Sequence, residues 1–190
     1  MGDSMGDYVS GVAASDELGV ARPWPRFWAR IFDIFLYSFP IGILLGLVFP
    51  TLFEAEWTQG RFGAYVLGFL ALPLVMVLDA AVIAMTGTSP GKALAGLRVL
   101  DLDRQKLTFE TAARRNLQVY WKGLAIGIPL LNLVAYGSGY TDVKETGLTT
   151  WDQDTDTRVF VVDGSDYRTI LIAVLAIGAM LLDRYLAMTL

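Results

Sequence analysis

Four long apolar stretches constrain the fold of this chain more than any other feature. They cover residues 31–53, 62–86, 117–140 and 169–188. A helix needs about 20 consecutive apolar residues to cross the hydrocarbon core of a bilayer, and within lipid a helix satisfies its own backbone hydrogen bonds. The sequence therefore predicts an all-α membrane protein with three to four transmembrane helices, surrounded by the lipid bilayer.

The third stretch is the least regular of the four, because Lys122, Pro129 and Asn132 interrupt it. Proline inside a helix removes a backbone hydrogen bond and kinks or ends the helix. Two paths therefore remain open for residues 117–140: a third transmembrane span, or a broken re-entrant segment that turns near Pro129. The side of the membrane on which the acidic loop 141–166 lies depends on that choice.

Composition excludes several classes of function. Asp and Glu outnumber Lys and Arg by 19 to 15, whereas nucleic-acid-binding domains carry basic stripes, so we expect no nucleic-acid partner. The chain has neither Cys nor His, which excludes disulfides, thiolate metal sites and a Ser-His-Asp triad. No other nucleophile–base pair or complete set of metal ligands is found, and we expect no enzymatic activity, no cofactor and no metal.

Lysine and arginine in short loops set the orientation of a membrane protein. Three arginines precede the first apolar stretch, six Lys and Arg lie in the segment 87–116, and the connection 54–61 contains only Arg61. We therefore expect a multi-pass protein of the bacterial inner (cell) membrane, with the N-terminus and the segment 87–116 in the cytoplasm.

The cytoplasmic segment 87–116 separates the second and third apolar stretches, and we predict a short β-hairpin followed by an amphipathic helix. Residues 97–102 partly alternate between apolar and polar side chains, and DRQK at 103–106 is typical of a turn. Thr108 can cap the following helix, with Glu110 in the first turn, where an acidic side chain is favourable.

Two acidic residues, Asp33 and Asp79, lie well inside apolar stretches. A charge at the bilayer centre costs roughly 2.5–3.5 kcal/mol on insertion scales, so intramembrane acids are candidate functional residues. At 1.5 Å per residue, each lies about 9–11 Å from the cytoplasmic end of its helix, which places both at one depth. Arg30 and Arg26 lie one and two turns before Asp33 on the same helical face. We expect one of these guanidiniums to neutralise Asp33 or to bridge to Asp79.

This group of charges has two interpretations. In the first, the chain is a cation- or proton-coupled transporter and a homo-oligomer. Asp33 and Asp79 bind a monovalent cation or a proton, and Arg26 or Arg30 competes for these acids. In the second, the charges only hold two helices together, since structural ion pairs also perturb pKa values. The chain would then be a non-transporting scaffold or accessory subunit that binds a partner protein through the segment 87–116.

Three motifs resemble those of the RDD membrane proteins, which are named for one arginine and two aspartates. RFWARIFD at 26–33 is similar to the opening motif of the family. TSPGK at 88–92 and GLRV at 96–99 are similar to its loop after the second helix, and residues 151–159 are similar to its closing motif. On this match the motif residues of the family are Arg26, Asp33, Gly91, Lys92 and Asp152.

The resemblance covers residues 22–162, which we assign to an RDD-like membrane domain. Residues 1–21 are then a disordered tail and residues 163–190 an additional C-terminal transmembrane helix. Trp151 stands where the family commonly has a histidine, and Asp156 where it commonly has a glycine. Members of the family are suspected of transport, and some have been linked to sodium–proton exchange, so the resemblance implies the transporter interpretation.

Overall fold

The computed structural model describes residues 19–58, 60–124 and 129–189. Most of the predicted disordered tail, residues 1–18, lies outside this part of the chain. The elements follow in chain order: α1 (Pro23–Val48), α2 (Pro50–Glu54), a 3-10 turn (Glu56–Thr58), α3 (Arg61–Thr86), α4 (Pro90–Leu94), β1 (Leu97–Asp101), α5 (Phe109–Gln118), a π-helical turn (Val119–Gly123), α6 (Pro129–Thr146), α7 (Thr150–Gln153), β2 (Thr157–Val161) and α8 (Asp166–Thr189).

Three helices, α1, α3 and α8, are long and apolar enough to cross a membrane. Helix α1 packs against both of the others. Arg22 and Asp166, at the beginnings of α1 and α8, are 3.8 Å apart, so these two helices begin at the same end of the molecule, where α3 finishes. We call this end, which carries the sheet and the short helices, the loop end. The prediction of a helical membrane protein with three to four spans is confirmed.

The outward faces of the long helices expose large apolar side chains. Leu47, Phe62 and Met85 are 77%, 76% and 75% exposed. Soluble monomers rarely expose contiguous apolar patches larger than a few hundred Å². These faces are therefore suited to contact with lipid.

Helix α1 begins and ends earlier than the predicted span 31–53. It starts at Pro23, because proline at the first helical position lacks only an N–H that would have no partner there. It ends at Val48, since the residue before Pro50 is disfavoured in the α conformation. Arg26 and Arg30, two of the three arginines before the predicted span, therefore lie in the first turns of α1.

The prediction of a β-hairpin is wrong, because the first strand pairs with a strand that is distant in sequence. β1 pairs antiparallel with β2, with Leu97 opposite Val161 and Asp101 opposite Thr157. In the described part of the chain, the predicted turn contributes an isolated bridge between its last residue, Lys106, and Leu100, and no second strand directly follows it. The reason is burial: β2 brings apolar side chains that cover the same core as β1, and a local pattern does not reveal a partner so distant in sequence.

The turn and the helix after it are as predicted. The backbone N–H of Asp101 donates to the carbonyl of Gln105, and Arg104 has a φ of 61°. Helix α5 begins directly after Thr108, whose side chain accepts a hydrogen bond from the N–H of Thr111. A side-chain acceptor at this position satisfies one of the free N–H groups of the first helical turn.

The pairing of β1 with β2 determines the path of residues 117–140. Hydrogen-bonded strands lie on one side of a membrane, so the chain between them crosses twice or not at all. A single crossing by this stretch is therefore incompatible with the sheet. The structure also breaks the stretch, since α5 ends at Gln118, a π-helical turn follows, and α6 begins at Pro129. The interpretation with one more span is corrected, and the loop after α6 lies on the same side as β1.

Two apolar clusters enclose the middle of the helix bundle from opposite directions. One turn before Asp33, Ala29 belongs to the cluster beneath the sheet, and one turn after it Tyr37 belongs to the cluster deeper in the bundle. Asp79 lies between the same two clusters. The cluster beneath the sheet includes Ala29, Ala80, Ile83, Leu97, Val99 and Val159. The deeper cluster consists of Tyr37, Ile41, Val75, Met76, Val119, Tyr120 and Leu124.

Candidate functional site

Charged side chains meet between the two apolar clusters, where α1 and α3 approach α4, α5 and α7. The carboxylates of Asp33, Asp79 and Asp152 are almost fully buried, with 1%, 0% and 0% exposure. Buried charges require partners, and four basic side chains supply them. We call this group the charge cluster. Its members are Asp33, Asp79, Asp152, Arg26, Arg30, Lys92 and Arg115.

Asp33 of α1 is held by the beginning of α4. Its Oδ2 accepts a hydrogen bond from Ser89 Oγ over 2.5 Å, and its Oδ1 accepts one from the backbone N–H of Gly91 over 2.6 Å. Lys92 Nζ lies 3.6 Å from Asp33 Oδ2 and donates to Ser89 Oγ over 2.8 Å. The Ser-Pro-Gly-Lys turn thus supplies three partners to one buried carboxylate.

Gly91 allows this contact because α4 crosses α1 at very short range. A Cβ atom at this position would lie 2.4 Å from the carbonyl oxygen of Ala29 and 2.9 Å from Asp33 Oδ1. The first of these is a backbone atom that cannot turn away as a side chain would. Any larger residue would therefore move α4 away from Asp33, which gives this motif glycine a physical role.

Asp79 of α3 lies on the other side of Lys92. Its Oδ2 accepts hydrogen bonds from Arg30 Nη1 over 2.8 Å and from Asn116 Nδ2 over 2.9 Å. Its Oδ1 lies 3.8 Å from Lys92 Nζ and has no hydrogen-bond partner among the described residues. Lys92 therefore bridges two carboxylates from two antiparallel helices.

Asp152 of α7 is bound by two guanidinium groups, those of Arg26 and Arg115. Arg115 donates to its Oδ1 from Nε over 2.9 Å and from Nη2 over 2.6 Å, and Arg26 Nη1 donates to its Oδ2 over 3.0 Å. Burial by itself would raise the pKa of Asp152, but the two guanidiniums outweigh it and hold this pKa below its usual range. Asp152 is therefore a permanent anion near neutral pH.

Lys92 is the basic residue of the charge cluster whose charge can change near neutral pH. Burial disfavours its ammonium form and lowers its pKa from 10.5 to about 8. The carboxylate of Asp79 opposes this shift, and the guanidinium of Arg30 adds to it. Loss of this proton would leave the space between Asp33 and Asp79 without its cation.

The structure brings Asp33 and Asp79 together, as their matched depths predicted. The pairing of Arg30 with Asp79 is one of the expected arrangements. Arg26 hydrogen-bonds with Asp152 instead, and among the described contacts the cation closest to Asp33 is Lys92. Arg26 lies one turn nearer the loop end than Arg30, where α7 is within its reach.

The sequence did not identify Arg115 and Asn116 as members of the site, and Arg115 was counted only among the six Lys and Arg of the segment 87–116. Both are buried on one face of α5, together with Ala112 and Val119. These four positions have the i, i+3, i+4, i+7 spacing of a helical stripe that faces a core. An arginine and an asparagine at these core-facing positions are the feature of the sequence that could have indicated a buried polar site.

An open cavity of about 460 Å³ lies beside the charge cluster. Its wall includes the basic side chains of Arg26, Arg30, Lys92 and Arg115. None of the described residues that line it is acidic. The remaining wall is mostly apolar and aromatic, and Trp151 contributes to it.

Two departures from the family motif have structural consequences. Asp156 has a φ of 49°, in the left-handed region that glycine adopts most easily and that aspartate tolerates better than most residues. Trp151 packs its ring against Gly123 and Gly139, where an added Cβ would lie 3.1 Å from the ring. The backbone at Asp156, in the loop between α7 and β2 that we call the closing loop, therefore keeps a conformation typical of glycine. Trp151 occupies space that Gly123 and Gly139 leave free.

Helices of membrane length around a buried group of ionisable residues define an integral membrane protein with a charged core. The sequence profile of the RDD family matches residues 20–184, and the chain belongs to this family. The match continues into α8, whereas the motif resemblance ended at residue 162. No curated protein and no solved structure gave a significant match to the chain.

Proposed function

We propose that this chain is a cation- and proton-coupled transporter in which Lys92 carries the exchangeable proton. The observation that carries the proposal is the position of Lys92 Nζ, 3.6 Å from Asp33 and 3.8 Å from Asp79. Lys92 is 4% exposed, yet it also lines the cavity beside the charge cluster. Ionisable residues at such depth are costly to insert and commonly belong to ion or proton pathways.

The exchange follows from charge balance. With Lys92 protonated, its ammonium group neutralises the space between the two carboxylates. When Lys92 releases its proton to the cavity, a monovalent cation of the same charge can take that place, held by carboxylate oxygens of Asp33 and Asp79. Arg30 stays on Asp79 throughout, held by the 2.8 Å hydrogen bond from its Nη1 to Asp79 Oδ2. Proton and cation thus compete for one position.

Sodium-dependent dissipation of a pH gradient in proteoliposomes tests the proposal. We expect the wild-type protein to couple the two ions, and Asp33→Asn, Asp79→Asn and Lys92→Gln to fall to the level of protein-free liposomes. Asp103→Asn and Lys106→Gln are matched controls at exposed positions of the same side, and they should retain the wild-type flux.

Two results would contradict the transporter proposal. Wild-type flux in both aspartate variants would remove the acids from the mechanism. A correctly inserted wild-type protein without any flux would favour the scaffold interpretation, in which the charge cluster only joins the helices. Melting temperatures in detergent show whether a variant without flux is still folded.

We further propose that the loop end faces the cytoplasm of the bacterial inner membrane and that the chain forms a homo-oligomer. The six Lys and Arg of the segment 87–116 support this orientation. Because the chain has no cysteine, Asp103→Cys, Asp142→Cys and Gly60→Cys can be labelled singly from outside intact cells. Of these three variants, only Gly60→Cys should react with a membrane-impermeant reagent. Light scattering in detergent measures the oligomeric state.

A further inference from the structure

The cavity beside the charge cluster has a one-sided distribution of charge. Four basic side chains reach its wall, whereas the three carboxylates that neutralise them lie behind these cations and do not line it. Four cations against three anions leave one positive charge. Arg158 of β2 is also close enough to act electrostatically on Arg26. The field inside the cavity is therefore positive.

Two arginines that line the cavity each have a guanidinium N–H group without a hydrogen-bond partner among the described residues. Arg115 is 3% exposed, and its Nη1 has no hydrogen-bond partner in the part of the chain that the structure describes. The same holds for Nε of Arg26. A buried donor without a partner is unfavourable, and oxyanions such as phosphate are the preferred partners of guanidinium groups. These donors thus point to an anionic ligand.

The rest of the wall suits a hydrocarbon chain better than water. Its large side chains are aromatic or aliphatic: Trp24, Phe27, Leu124, Tyr140, Val143 and Trp151. A soluble anion would leave this apolar surface uncovered. A molecule with an anionic head and an apolar tail would match both parts of the cavity.

The cavity also lies at the loop end of the bundle, where the membrane-spanning helix α1 begins. It is lined by the first two turns of α1, from Pro23 to Arg30, which correspond to about 10 Å of helix at 1.5 Å per residue. Trp24 and Tyr140 contact each other at this level, with ring centroids 6.0 Å apart. Such aromatic side chains are typical of the membrane–water interface.

We propose that this cavity binds an anionic membrane lipid, with its phosphate on Arg26 and Arg115 and its acyl chain along the aromatic wall. The proposal goes beyond the transporter function and does not depend on it, because binding can be measured without any ion gradient. It assigns a ligand to the side of the charge cluster that the carboxylates do not cover.

Calorimetry on the full-length protein in a neutral detergent tests the ligand class. The probes are a short-chain phosphatidylglycerol, a phosphatidylcholine of the same chain length, and inorganic phosphate. We expect phosphatidylglycerol to bind at least about tenfold more tightly than either of the others. Equal affinity for phosphatidylcholine would overturn the role of the cations. Equal affinity for inorganic phosphate would overturn the role of the apolar wall.

A change that fills the cavity tests the location without touching a charge. Gly137 lines the cavity, and an added Cβ there would meet nothing within 4 Å. Gly137→Trp should weaken phosphatidylglycerol binding about tenfold or more and keep the melting temperature of the unliganded protein. Gly178→Trp is the matched control, because Gly178 of α8 also has open space and does not line the cavity. Unchanged affinity in Gly137→Trp would overturn the proposal.

Arg115→Lys provides a second, independent variant if the tryptophan prevents folding. It keeps the positive charge but removes the guanidinium group whose Nη1 has no hydrogen-bond partner among the described residues. We expect weaker binding of phosphatidylglycerol and no change in binding of phosphatidylcholine. Arg114→Lys, at the exposed neighbouring position of α5, is the control. If the two variants lose the same amount of affinity for phosphatidylglycerol, a specific role for Arg115 is contradicted.

Discussion

The charge cluster has two halves that differ in the kind of cation that faces their carboxylates. In the Asp152 half, three guanidinium hydrogen bonds of 2.6, 2.9 and 3.0 Å fix one anion. In the Lys92 half, which contains Asp33, Asp79 and Lys92, the ammonium lies 3.6 and 3.8 Å from its two acids. The first half pairs one anion with two guanidinium groups, and the second is built around an ammonium group whose pKa burial lowers to about 8.

The contrast separates structure from chemistry within one buried network. Arg26 and Arg115 connect α1 and α5 to α7 through Asp152, so the Asp152 half joins the closing loop to the bundle. The Lys92 half connects α1 to α3 through α4 and can change its charge. We therefore expect the Asp152 half to determine stability and the Lys92 half to determine pH dependence.

The largest effect is expected from Asp152→Asn. The substitution leaves Arg26 and Arg115 buried without a counter-ion, and breaking a buried ion pair in this way costs about 3–5 kcal/mol. The free energy of unfolding in detergent should fall by that amount, or the protein should fail to accumulate in the membrane. Asp154→Asn is the control, since the pair of Asp154 with Lys122 is 43% and 48% exposed and such surface pairs contribute about 0–1 kcal/mol. Similar losses in both variants would contradict the distinction between the halves.

A smaller effect is expected from pH, and it belongs to the Lys92 half. The pKa of Lys92 is about 8 in the folded protein, below the ordinary value of 10.5 that applies when the chain is unfolded. Between these pH values the unfolded chain binds more protons, so the folded state gains stability as pH rises. The expected gain is about 1–3 kcal/mol, since one pKa unit corresponds to about 1.4 kcal/mol.

The measurement compares unfolding of the wild-type protein and Lys92→Met at pH 7.5, 9 and 10. The free energy of unfolding of the wild type minus that of Lys92→Met should increase as pH rises, because only the wild type gains stability through the lowered pKa of Lys92. A constant difference over this range would show that Lys92 keeps its charge, and the Lys92 half would then be as static as the Asp152 half.

The two halves also differ in how well the sequence predicted them. Asp33 and Asp79 interrupt apolar runs, and matched depths on antiparallel helices follow from helix geometry alone, so their meeting could be predicted. Asp152 and Arg115 lie in polar segments where a charge is ordinary, and the family resemblance supplied only Asp152. Their pairing depends on how the segments between α5 and β2 fold back.

The same distinction holds for the fold. The three long helices follow from apolar runs, and the start of α5 follows from the Thr108 cap. The partner of β1 lies more than 50 residues further along the chain, and the alternation of 97–102 fits either partner. Only the burial of Val159 beneath the sheet decides between them, and burial is a property of the whole molecule.

The smallest expected effect concerns the loop that positions Asp152. Asp156 has a φ of 49°, and a left-handed backbone costs an L-residue about 1–2 kcal/mol, although aspartate offsets part of this through local hydrogen bonds. Asp156→Gly should remove that strain, and the greater entropy that glycine loses on folding should cancel part of the gain. We expect a stabilisation of about 0.5 kcal/mol in detergent unfolding. Asp154→Gly, at a φ of −68°, relieves no such strain and should destabilise the protein slightly. If both substitutions destabilise it equally, the left-handed backbone at Asp156 is not what the closing loop requires, and the attachment of Asp152 does not depend on the loop geometry.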